Sequence, residues 1–229
     1  MASSRDQRVF VGITGASGHA YARGLLRGLL AAGLEVDLAV TTAGSLVLDH
    51  EEGVTTDPDG RVGQDELARW LDVTPAAAAA VRSFGRGEVG SAPASGTALG
   101  RAVVLCPCSM GTLSRVSVGF SSNLVERAAD VAIKEGRRLV VVPRETPLSE
   151  VHLENLLRLA RLGARILPAA PGFYHRPGSI DDLVDQLTGK ILDAIDVELP
   201  EQPRWKGLDE PPAEDGIGGD AEARLAEER

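Results

Sequence analysis

The chain has 229 residues, a net charge of −9 and 43% apolar residues, enough for one substantial core. That balance lacks the basic footprint of a nucleic-acid binder, and no stretch approaches the eighteen or so apolar residues that a membrane span requires. From Glu198 onward ten acids face four bases, so the rest of the chain is nearly neutral. Met1 to Arg8 has no apolar leader region, and a soluble, cytoplasmic protein is expected. Cys106 and Cys108 are one residue apart and the four histidines are scattered, so neither a redox pair nor a zinc set is expected. Both thiols read as small, reduced hydrophobes.

In chain order, Val9-Phe10-Val11 reads as a strand that ends in Gly12-Ile13-Thr14-Gly15-Ala16-Ser17-Gly18 and opens into a helix reaching Ala32. Such a turn aims backbone N–H groups and the positive end of a helix dipole at solvent, an anion cradle. The glycine spacing is three and three, against the two and three of the dinucleotide fingerprint, and Asp37 lies inside a strand, which disfavours a nicotinamide site. A plain tight turn is the bland alternative. Glu35 to Val40 is a second strand, closed by Thr41-Thr42, with a short helix from Ser45 to Glu51. Gly53 to Gly63 is a turn-rich loop, Asp65 to Leu71 is helical, and Thr74-Pro75 caps the Ala76 to Ala80 run. Residues 85 to 101 are too rich in glycine, proline and serine for regular structure.

Ala102 to Leu105 is an apolar strand, followed by a turn at Cys106-Pro107-Cys108-Ser109-Met110-Gly111-Thr112 and a helix through Val116. Ser121-Ser122-Asn123 caps a helix from Leu124 to Glu135. Leu139 to Val142 is a fourth strand, ended by Pro143-Arg144-Glu145-Thr146-Pro147, and Ser149 caps a helix to Leu162. Ala164 to Leu167 is a fifth strand, and Ser179 opens a last helix to about Ile195. Continuous apolar strands alternating with helices imply a single α/β domain, a Rossmann-like (flavodoxin-like) doubly wound parallel sheet with helices on both faces. Residues 1 to 206 are assigned to it, and 207 to 229 to an acidic, disordered tail. Ligands in such folds collect at the carboxyl ends of the strands, where Ser17, Thr41, Ser109, Thr112, Arg144, Glu145 and Tyr174 fall. Hydroxyls, helix N-termini and a guanidinium suit a phosphorylated ligand.

Taken in order, Gly15-Ala16-Ser17-Gly18, Pro107 to Thr112, Asn123 to Val131, Lys134-Glu135, Val142 to Pro147 and Pro171-Gly172-Phe173-Tyr174-His175-Arg176-Pro177 resemble the flavin prenyltransferase family over residues 8 to 206. The resemblance implies transfer of a dimethylallyl group from dimethylallyl monophosphate to reduced FMN without a metal ion. The product would be a prenylated FMN for a UbiD-type decarboxylase. It implies flavin contacts from Gly15, Ala16, Ser17, Thr41, Ser109, Met110, Gly111, Thr112 and Arg144. Prenyl-phosphate contacts are implied for Tyr174, Lys190, Lys134, Arg144 and Arg127, with Trp205 as a pocket cover. Glu145, Ser17, Lys134 and Glu51 are the implied catalytic set. Dodecamers with sites at subunit contacts are also implied, so Glu51 or Lys134 would serve a neighbour's pocket.

Each nominee has a plainer reading. Glu126, Arg127, Asp130 and Lys134 also fit a solvated helix face with i,i+4 pairs. Tyr174 also fits a core plug, His175 a pocket wall, and Glu51 an ordinary helix-end carboxylate. Position 190 is Lys where the family pattern has Arg, which keeps the charge and loses the bidentate fork, and Val89 stands where some members carry Trp. Two alternatives remain at this stage: an FMN-dependent cysteine-type decarboxylase of the same fold, and a non-catalytic flavin carrier.

Overall fold

The computed structural model describes residues 7–199. Along the chain these form Arg8–Ile13 (β1), His19–Ala31 (α1), Glu35–Val40 (β2), Thr42–Glu52 (α2), Gln64–Leu71 (α3), Pro75–Ala78 (α4) and Val81–Phe84 (β3). A 3-10 turn at Ala92–Ala94 precedes Ala102–Cys108 (β4), Met110–Ser117 (α5), Leu124–Lys134 (α6), Arg138–Pro143 (β5), Glu150–Arg161 (α7), Arg165–Ile166 (β6) and Ile180–Ala194 (α8). The six strands are parallel, in the order β3-β2-β1-β4-β5-β6. The expected doubly wound sheet is present, and the order reverses between β1 and β4.

The pleat explains the two cores. Val9, Val11 and Ile13 of β1 point to one face and pack with Leu25, Leu26 and Leu29 of α1 and Leu187 and Ile191 of α8. Phe10 points to the other face and meets Leu113 of α5, Leu124 and Ala128 of α6 and Leu159 of α7. With both faces covered, the central strands can be apolar throughout, and all seven residues of β4 are buried.

Three details differ from the sequence reading. Val81–Phe84, unassigned there, is the edge strand β3, whose four residues are mostly part-exposed and carry too short an apolar run to stand out. Cys106-Pro107-Cys108, read as a turn, continues β4; the pairing with β5 is irregular between Leu105 and Cys108, which accommodates a proline without an N–H. Glu126, read as part of a solvated helix face, is fully buried. It accepts from Ser122 N and Oγ at 2.7 Å each and pairs with Arg115, while Arg127 pairs at i,i+3 with Asp130.

Asp37, inside β2 as read, is among the described residues the one acid buried in a central strand, with a 4% exposed side chain. It accepts from Arg82 Nε and Nη2 at 2.9 and 2.6 Å, and Arg8 Nη1 lies 3.6 Å away. Burial pushes its carboxyl up to about 6, against the pull of Arg8. A raised folded-state value means that Asp37 contributes stability below the unfolded carboxyl range near 4. That contribution is lost as pH climbs through 6. Asp37→Asn is expected to remove this slope, so that urea midpoints of variant and wild type converge or cross between pH 4 and 6.5; parallel curves would exclude the effect.

Candidate active site

The chain leaves β1 toward β2 and leaves β4 toward β5, so the loops after β1 and β4 part and leave a crevice at the carboxyl edge, the position where doubly wound sheets bind ligands. Thr14 ties its two walls together. Its buried hydroxyl donates to Pro107 O at 2.9 Å and accepts from Ser109 N at 2.7 Å. Ser109 caps α5, its hydroxyl accepting from Thr112 N at 3.4 Å and bonding Thr112 Oγ1 at 3.2 Å. Arg144, just past β5, crosses the crevice: its N–H donates to Cys108 O at 3.3 Å and its Nε to Ser17 O at 3.1 Å. Ser17, Ser109, Thr112 and Arg144 are thus brought together as predicted, with buried Met110 behind them and exposed Gly111 at the mouth.

The first turn differs from the open anion cradle read in the sequence. Gly18 N and His19 N, the first donors of α1, both give hydrogen bonds to Glu51 Oε2 at 2.9 Å. The buried His19 ring adds Nδ1 at 3.1 Å. The N-terminus of α1 therefore already holds an anion from the end of α2. Burial alone would raise the Glu51 carboxyl, but hydrogen bonds from the Ser17 hydroxyl, His19 and Gly18 outweigh it and hold it at about 2. Burial keeps the His19 ring below its usual value although Glu51 pulls the other way. Because a carboxylate only accepts, the neutral ring must carry its proton on Nδ1. His19 and Thr14 were given no role by the sequence reading, because their importance lies in partners 32 and 93 residues away along the same chain.

A second helix N-terminus adjoins this turn. Thr41 is buried and caps α2, accepting from Gly44 N at 3.1 Å. Gly15 sits so close that a Cβ there would lie 2.5 Å from Ala43 Cβ, so only glycine lets the β1 loop press on the start of α2. Three buried polar atoms around this end have no hydrogen-bond partner: Ser45 Oγ on the first turns of α2, Arg86 Nε past β3, and Ser121 Oγ ahead of α6. Leu124 N of α6 bonds Arg86 O at 2.8 Å, which holds the last two segments together. Orphaned hydroxyl and guanidinium groups beside an acid-free helix start fit the ribityl phosphate of FMN.

Other nominees lie elsewhere in the chain. Glu145 follows Arg144 and is exposed, its Oε1 accepting from Thr146 N at 3.0 Å. Arg127 lies in the first turn of α6, which starts at Leu124 on the crevice side, whereas Lys134 is roughly 10 Å further along that helix, at its end, paired with Glu135. Tyr174 OH accepts from Gln186 Nε2 of α8 at 3.1 Å, and Lys190 lies one turn beyond Gln186 on the same helix face. Gly24 meets Val184 and Thr188 while Gly28 meets Thr188 and Leu192, so α1 and α8 run parallel. Lys190 is therefore roughly 15 Å along α8 from its start at the crevice edge. Trp205 lies outside the described residues.

Thr14→Val keeps the shape and the backbone bond from residue 14 N to Pro107 O at 3.3 Å, but removes both hydroxyl bonds and leaves Ser109 N without its buried acceptor. A loss of about 2 kcal/mol is expected, read as a lower urea midpoint, together with weaker flavin binding by fluorescence titration. An unchanged midpoint would show that the two loops hold without it.

The Flavoprotein family matches residues 2–196. The chain is 46% identical over 202 residues to flavin prenyltransferase UbiX of Pseudomonas aeruginosa, covering 88% of this chain and 95% of that one. The crystal structure of AnUbiX (PadA1) in complex with FMN and dimethylallyl pyrophosphate aligns with a TM-score of 0.75 at 34% identity, over 89% of this chain and 99% of that one. A dodecameric FMN-dependent UbiX-like decarboxylase from Escherichia coli O157:H7 aligns with a TM-score of 0.75 at 33% identity, over 87% and 100%. With the fold, the strand-end crevice and these likenesses in agreement, the chain belongs to the Flavoprotein family and, within it, to the flavin prenyltransferases.

Proposed function

We propose that this protein acts in the cytoplasm to transfer the dimethylallyl group of dimethylallyl monophosphate to reduced FMN, making a prenylated FMN for a UbiD-type decarboxylase. The observation that carries the reading is the convergence of Ser17, Glu51, Ser109 and Arg144 on the β1–β4 crevice. Reduced FMN, when bound, supplies the electron-rich atoms that take the prenyl group. Gly15, Ala16, Thr41, Ser109, Met110, Gly111 and Thr112 would hold it with backbone N–H groups, hydroxyls and one apolar wall.

Breaking the allylic C–O bond leaves the electron pair on the phosphate, and stabilising that charge is the chief electrostatic task. Lys134, Lys190, Arg144, Arg127 and the Tyr174 hydroxyl are suited to it, with Trp205 as a cover. Closing the new ring would join a flavin ring carbon to one end of the prenyl double bond, so the other alkene carbon takes up a proton and the ring carbon gives one up. Glu145, exposed beside Arg144, is the acceptor in this reading. Glu51, held at about 2, is too weak a base to take a proton at neutral pH. Its part is to stay anionic and orient the Ser17 hydroxyl, which can then accept and pass on a hydrogen bond. Anaerobic incubation with reduced FMN and dimethylallyl monophosphate should yield, by mass spectrometry, a flavin heavier by one five-carbon unit. Bound flavin of unchanged mass would favour a carrier. Glu145→Gln is expected to keep FMN while slowing product at least about tenfold, and full activity would remove Glu145 from the mechanism.

Lys134 on α6 and Lys190 on α8 belong to helices that cover opposite faces of the sheet, so one phosphate is better reached by lysines of two chains, and the E. coli relative is dodecameric. The reading therefore includes a homo-oligomer, a dodecamer, whose sites are completed across subunit contacts. Lys134→Ala and Lys190→Ala should each be nearly inactive, yet oligomers co-expressed from both should regain a measurable fraction of activity. No recovery in verified mixed oligomers would place both lysines in one chain's site or in none.

A further inference from the structure

The phosphate of FMN needs a place at this edge, and the helix starts there are not equivalent. α1 holds Glu51 over its first N–H groups, and α6 carries the buried Glu126 in its first turn. α2 and α5 have no acid in their first turns. Beside α2, Arg86 Nη1 donates to Thr42 Oγ1 at 3.1 Å, and Thr42 is the first residue of that helix. A cation set against the positive end of a helix is unfavourable on its own.

The fold nevertheless builds a seat for it. Gly60, at φ 88°, lies under the guanidinium: a Cβ there would be 3.0 and 3.1 Å from Arg86 Nη2 and Nε, and 2.9 Å from Val40 O. The Arg86 backbone is pinned on both sides, its N–H to Asp59 O at 2.9 Å and its carbonyl to Leu124 N. Nε is shielded from solvent without a hydrogen-bond partner. Neighbouring arginines are neutralised, Arg61 by Glu88 and Arg115 by Glu126. Among the described residues Arg86 has no carboxylate partner. An unneutralised guanidinium and an acid-free helix start, held together through Thr42, leave charge that an anion would satisfy.

We infer that Arg86 is the anchor for the phosphate of FMN, which sits between its guanidinium and the first N–H groups of α2, next to the Gly15–Ala43 contact. The inference rests on the FMN reading of the site and assigns the phosphate to the β2–β3 side of the crevice, away from Arg144. Arg144 is thereby left for the reacting end of the flavin.

The test uses the full-length apoprotein, titrated with FMN and with riboflavin by flavin fluorescence, and phosphorus NMR of bound FMN at saturation. Arg86→Ala and Arg86→Gln should weaken FMN by about tenfold or more while changing riboflavin by no more than about twofold. The bound phosphorus resonance should shift, and Arg86→Lys should recover part of the loss. Equal losses for both flavins with an unmoved resonance would make Arg86 a brace between the Gly60 loop and α2, overturning the inference. An unaffected FMN titration would do so as well. Where riboflavin binds too weakly to titrate, the resonance decides. If Arg86→Ala does not fold, the Gln and Lys variants carry the comparison. Folded wild-type protein that binds neither flavin would overturn the FMN reading itself, a distinct outcome.

Discussion

The hydroxyl of Thr14 holds the site together. Two strands adjacent in the sheet send their chains in opposite directions, so their loops would drift apart without a link at the point of divergence. The buried Thr14 hydroxyl supplies most of it, donating to the β4 carbonyl at Pro107 and accepting from the N–H of Ser109, with the Thr14 backbone N–H adding a bond to the same carbonyl at 3.3 Å. Because Ser109 is also the cap of α5, the same bond fixes where that helix begins. Arg144 then spans the gap from the next strand to Ser17. The rigid framework beneath, a parallel sheet buried on both faces, lets such short links define positions.

The electrostatics divide the carboxyl edge into regions with different occupants. At α1 the backbone donors are satisfied from within by Glu51, which the buried, neutral His19 ring helps to hold. An anion fixed there repels a second one and takes a hydrogen bond from the Ser17 hydroxyl. At α2 the first turn has no acid and a guanidinium beside it. Two helix starts joined by the Gly15–Ala43 contact thus have opposite characters, one filled and one inviting a phosphate. Such a gradient orients an elongated ligand with a charged end and a flat reactive end.

Within a single chain the cations nominated for the phosphate stand apart. Lys134 is carried to the end of α6, and Tyr174 and Lys190 follow the face of α8. Large apolar side chains stand exposed on α7, at Val151, Leu153 and Leu157, and beyond α5, at Val118 and Phe120. An active site that draws phosphate-binding cations from several chains would gather positive charge only on assembly, sparing each isolated subunit their mutual repulsion.

Much of the architecture was legible in the residues alone. Alternating apolar runs and capped helices give the doubly wound sheet, since strands covered on both faces must be apolar throughout and hydroxyl caps mark helix starts. The strand-end motifs likewise place Ser17, Thr41, Ser109 and Arg144 on one edge. Short or interrupted elements escaped: β3 has four residues, and Pro107 disguises the end of β4. Local sequence determined which residues can bind and where chain direction changes. Only the tertiary structure decided which polar groups are already satisfied: that Glu51 fills α1, that Glu126 is buried, that Thr14 joins two loops, and that Arg86 faces a helix start without a carboxylate. Those outcomes depend on partners far apart in the chain, and a hydrogen-bonding group's availability is fixed by its neighbours in space.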